Sequence, residues 1–105
     1  MSSQSGSRLT VIGWRDIPAQ VVASRGREKV RIELSARFQT AIDQAAMHAG
    51  LIGTDAYLEQ WTQISRECGD DLAVEAKNEA ERLEQTYDRP RLALLVAGSG
   101  VEEDS

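Results

Sequence analysis

The chain has 105 residues, room for one domain with one modest core. Its 41% hydrophobic and 28% charged residues suit a globular fold, and no apolar run approaches the ~20 residues that cross a bilayer. The start Met1–Ser7 lacks the apolar stretch of a secretory signal and Cys68 is the only cysteine, so an internal disulfide is excluded and a cytoplasmic protein is expected.

The net charge of −5 is unevenly spread. Residues 1–53 carry seven basic and four acidic side chains, whereas residues 54–105 carry five and thirteen. The first half is therefore basic and the second acidic. Such a dipole can steer a charged partner, although charge runs more often serve solubility.

Residues 1–7 read as a disordered tail, 8–96 as one domain and 97–105 as an acidic disordered tail. Three strands are expected, at about 8–15, 19–24 and 28–34. In the first, Leu9, Val11 and Gly13 alternate with Thr10, Ile12 and Trp14, so both faces are partly apolar. Pro18 cannot donate a ladder hydrogen bond, so 16–18 should be a corner or an edge. Gly26 supplies the turn between the second and third strands. Val30, Ile32 and Leu34 have the period of two of a half-buried strand.

Ser35 stands where a helix cap belongs. Phe38, Ala41, Ile42, Ala45, Ala46 and Ala49 make an amphipathic stripe over 35–49, and Gly50 ends it. Thr54 caps a second expected helix, 54–65, with Tyr57, Leu58, Trp61 and Ile64 facing inward. Residues 65–69 read as a loop. Asp70 or Asp71 caps a third helix, 70–87, with Leu72, Ala76, Ala80, Leu83 and Tyr87 inside and Glu75, Glu79, Glu81 and Glu84 outside. Pro90 breaks it and opens a short apolar helix or turn at 91–96. The fold class is thus α+β: a small, mostly antiparallel three-stranded sheet with three main helices on one face.

Trp14-Arg15-Asp16-Ile17-Pro18-Ala19-Gln20-Val21, after a short apolar strand, resembles the opening of a small bacterial domain family named virulence factor, a domain also found in the conserved virulence factor C proteins. The similarity continues through Glu33–Phe38, Ala41–Asp43, Ala45–Met47, Thr54–Leu58 and Trp61, over about residues 9 to 95. The name records a phenotype and no reaction, so the resemblance brings no catalytic residues. Stand-alone members tend to be encoded near corrinoid- and folate-dependent methyl-transfer proteins. The resemblance therefore implies a partner in methyl transfer.

The side chains offer little for catalysis. His48 and Cys68 are single copies of their kinds, too few to close a tetrahedral zinc site. No glycine pattern for phosphate precedes a helix. The chain is expected to be a non-enzymatic accessory or interaction domain, with no cofactor and no metal. It would bind a larger protein through Trp14, Arg15, Asp16, Pro18 and Gln20. Trp14 would be either part of the core or the apolar anchor, Arg15 and Asp16 would set the charge register, and Pro18 would fix the loop. Homo-oligomerisation is left open. One alternative is a nucleic-acid-binding regulator that uses Arg25, Arg27, Lys29 and Arg31, against which the acidity and the lack of nearby aromatic rings count. The other is a thiol or redox protein centred on Cys68, its pKa lowered beside a helix N-terminus.

Overall fold

The computed structural model describes residues 6–102. Four strands form one antiparallel sheet: β1 (Ser7–Trp14), β2 (Ile17–Arg25), β3 (Glu28–Glu33) and β4 (Trp61–Glu67), in the order β3-β2-β1-β4. Four helices accompany them: α1 (Ala36–His48), α2 (Asp55–Glu59), α3 (Leu72–Thr86) and α4 (Arg89–Ala97). The class is α+β; among the described residues there is one strand more than the sequence suggests, and the short helix or turn expected at 91–96 is a fourth helix, α4.

The hydrophobic pattern sets the layers. Leu9, Val21, Ala23 and Leu34 on the sheet meet Phe38, Ile42 and Ala45 of α1, Ala76 and Leu83 of α3, and Leu92 and Leu95 of α4. The small side chains of α1 and α3 let both helices lie close to the strands. α3 covers β2 and β3, and α1 packs on β2 and α4. The register puts Arg8, Thr10, Ile12, Gln20, Ser24, Lys29, Arg31 and Glu33 on the opposite, largely polar face.

The expected helix over 54–65 is corrected. α2 stops at Glu59, and the chain leaves it to pair with β1 from Trp14↔Trp61 to Arg8↔Glu67. Thr62 and Ile64 are β-branched and alternate with Gln63 and Ser65, a pattern that fits a strand beside β1 better than a helix of its own. The Gln60 carbonyl accepts from the Arg15 N–H at 3.0 Å and marks the change of direction. The loop expected at 65–69 is likewise strand as far as Glu67.

The helix starts follow capping chemistry, with one exception. Asp71 accepts from the Val74 N–H and Asp88 from the Arg91 N–H. Ser35 makes no side-chain cap; its hydroxyl and N–H both donate to Glu84 of α3, tying the start of α1 to its neighbour. The bounds of the expected tails also move. Ser7 opens β1 and is buried, and residues 98–102 are hydrogen-bonded to the rest of the domain. Residues 1–5 and 103–105 of those tails lie outside the described residues.

No helix among the described residues is long and apolar enough to cross a membrane.

Candidate functional site

β1 and β2 meet in a two-residue turn, Arg15-Asp16, preceded by a bulge. The register shifts between Ile12 and Gly13, so Gly13 faces Pro18 and Trp14 faces Ile17. The strands approach so closely there that a Cβ on Gly13 would sit 2.5 Å from the Ile17 carbonyl oxygen. Pro18, second in β2, is buried. It stands inside the strand at the bulge, where a missing N–H is tolerated.

Of the two places open to Trp14, the structure shows the core and not a partner's anchor. Its side chain is buried, stacked on Tyr57 with ring centroids 5.7 Å apart, and its indole Nε1 donates to the Tyr57 carbonyl at 2.9 Å. Gly100 closes the other side; a Cβ there would lie 2.9 Å from Trp14 Cζ3. Arg15 also turns inward on its own chain. Its guanidinium lies 5.0 Å from the Trp14 ring centre, Nε donates to Gln60 Oε1 and Nη1 donates to the Ser99 carbonyl. The Asp16 N–H donates to the Gly100 carbonyl, and Asp16 Oδ2 accepts from the Glu102 N–H at 2.7 Å. Arg15 and Ser99 hold φ values of +53° and +60°, a region that costs non-glycine residues energy. The surrounding hydrogen bonds hold both in place. Three of the five expected partner residues therefore clamp this chain's own residues 57–60 and 98–102. Gln20 is apart from them on the polar face, between Ile12 and Glu33, with its buried Oε1 unpartnered.

Beside this corner lies a groove of about 450 Å³ on the helix side of the sheet. α3 lies mainly over β2 and β3, and among the described residues the floor, Leu9, Val11, Gly13, Thr62 and Ile64, is left open. Leu83 and Tyr87 form the facing wall, and Asp16, Pro18 and Glu102 close one end. Ile64 is 71% exposed, and every residue from Thr62 to Glu67 is exposed. β4 is also an edge strand. An uncharged centre, Thr62-Gln63-Ile64-Ser65, with no neighbouring strand on its outer side among the described residues, is a template for strand pairing.

The other end of the groove is charged. Glu79 of α3 is buried and accepts from both Nε and Nη2 of Arg82, while Arg66 of β4 reaches the same carboxylate at 3.5 Å. The Arg82 hydrogen bonds hold the Glu79 carboxyl below its ordinary pKa, against a burial effect that would raise it, and the charges of Arg82 and Arg66 add to the lowering. Glu79 was expected outside. It instead falls within the spacing of the buried stripe Leu72, Ala76, Ala80 and Leu83, a signal present in the sequence.

The remaining candidates stay apart. Cys68 sits at the far end of the sheet, its N–H on the Ser7 carbonyl. Burial and the nearby Glu75 push its thiol up, opposite to the lowering expected beside a helix N-terminus. His48 is exposed at the end of α1. Arg25 pairs with Asp70 at 3.4 Å, while Arg27, Lys29 and Arg31 are exposed. No group of three or more His, Cys, Asp or Glu that could hold a metal is found among the described residues.

Fold and groove together define a small α+β domain with a closed corner and an open sheet edge. The chain belongs to the virulence factor domain family, whose family model matches residues 12–96. No curated protein and no solved structure matches it.

Proposed function

We propose that this domain is a non-enzymatic interaction module that accepts an extended segment of a larger protein along β4. The observation that carries this reading is the exposed edge of β4, uncharged over Thr62–Ser65, beside a groove with an apolar floor. Strand addition at such an edge draws affinity from main-chain hydrogen bonds and selectivity from alternate side chains. The other edge, β3, is a poorer acceptor: it is shorter, reads Glu-Lys-Val-Arg-Ile-Glu and has α3 packed along it. The raised thiol pKa of Cys68 gives no support to a thiolate-based activity. From the family resemblance, the larger protein is an enzyme of corrinoid- or folate-dependent methyl transfer.

A photo-crosslinking residue at position 64, compared in cells with one at Val74 on the exposed face of α3, tests the reading. Crosslinks from position 64 to a single extended segment of one larger protein, absent from position 74, are expected. Equal labelling from both positions, or none from 64, would reject it.

A further inference from the structure

We infer that the segment received by β4 carries an acidic side chain two residues before an aliphatic one. This inference rests on the strand-addition reading above and adds the chemistry of the partner. The pairs Leu9↔Arg66, Val11↔Ile64 and Gly13↔Thr62 put Arg66, Ile64 and Thr62 on the groove side of the sheet. A strand laid beside β4 presents every second residue to that side. Its side chains next to Arg66 and next to Ile64 are therefore two positions apart.

The charges decide what those side chains are. Arg66 and Arg82 converge on the single carboxylate of Glu79, so two cations share one anion. Glu79 is 7% exposed, but the two arginine side chains are 58% and 60% exposed and keep free N–H donors. Guanidinium forks pair best with carboxylates. Two residues along β4, Ile64 is bare beside Val11 of the floor and across from the Leu83 wall, which suits an aliphatic side chain. Every pairing in the sheet is antiparallel. An antiparallel addition meets Arg66 first and Ile64 second, which sets the order Asp/Glu, any residue, then Val/Ile/Leu. A second copy of the chain fits less well. Pairing β4 with itself about Ile64 would set Arg66 against Thr62, and the groove side of β4 carries no acid.

A display library of random nine-residue peptides, panned against the full chain, tests this. Enriched peptides are expected to carry Asp or Glu two positions before Val, Ile or Leu. Arg66→Glu should exchange the acidic preference for Lys or Arg while the aliphatic preference stays. A synthetic peptide from the wild-type selection should bind Arg66→Glu at least about tenfold more weakly, with Arg66→Gln between the two. Circular dichroism should show the wild-type spectrum for both variants. Alternating apolar peptides with no acid, retained equally by Arg66→Glu and lost with Ile64→Pro, would leave strand addition standing and overturn this inference. Absence of any enrichment sensitive to Ile64→Pro would overturn the strand-addition reading and this inference with it. A stable dimer on sizing with light scattering, lost with Ile64→Pro, would assign the edge to a second copy and also overturn it.

Discussion

The two ends of the pairing Trp14↔Trp61 differ sharply. On the β1 side, the corner Trp14-Arg15-Asp16 is saturated by contacts from residues distant in sequence. On the β4 side, a strand of the same sheet is exposed along nearly its whole length. Large aromatic and charged residues in a distinctive sequence do not mark a binding surface when the chain itself supplies their partners. A modest run such as Thr62-Gln63-Ile64-Ser65, exposed among the described residues, is the better candidate. The corner is part of the core, and the edge is where strand addition is proposed.

Substitutions can break this contrast. Trp14→Ala removes a fully buried indole and should cost about 3–5 kcal/mol, a large share of a small domain's stability. Chemical denaturation measures the loss; a cost under about 1 kcal/mol would mean that the corner is not core. Gly100→Ala comes next, at about 1–3 kcal/mol, because φ is +92° and the new Cβ would meet the Trp14 ring. Its thermal midpoint should fall while peptide binding at β4 by the remaining folded protein is unchanged.

The charged rim of the groove sharpens the contrast through pH. Glu79 has a folded pKa below its ordinary value of 4.5, so its stabilising contribution is present above that value. It is lost as the pH falls from there through the folded pKa. Glu79→Gln should cost about 1–2 kcal/mol at pH 7 and should flatten the decline in stability below about pH 4.5. Denaturant midpoints taken from pH 7 to 3 test this; parallel curves for the variant and the wild type would dismiss the carboxylate's role. The smallest effect belongs to Ile64→Thr, within about 0.5 kcal/mol, because the side chain is already in water. A loss as large as that of Trp14→Ala would erase the distinction between edge and corner.

Much of the fold was legible. The stripe Phe38-Ala41-Ile42-Ala45-Ala46 is the buried face of α1, and Leu72-Ala76-Ala80-Leu83 that of α3. The hairpin of β2 and β3 follows from alternation and Gly26. β4 was hidden because Tyr57, Leu58, Trp61 and Ile64 have helical spacing. What decides for a strand is the free side of β1, a long-range partner that no local pattern records. The fate of Trp14 was hidden for a related reason. Its cover comes from Tyr57 and from Gly100, in a stretch, Gly98-Ser99-Gly100, whose composition reads as a tail. The contacts join residues far apart in sequence, and the indole N–H goes to a main-chain carbonyl, which carries no signature in the side chains.

Tyr57 and Gly100 enclose one of the two tryptophans, while Trp61 is only half-buried. The protein thus contains its own fluorescent gauge. In a Trp61→Phe background, emission comes from position 14 alone and should be blue-shifted as long as residues 98–102 stay in place. Any condition that lifts that segment would admit water to the indole and redden the spectrum, so its release can be followed without an added dye.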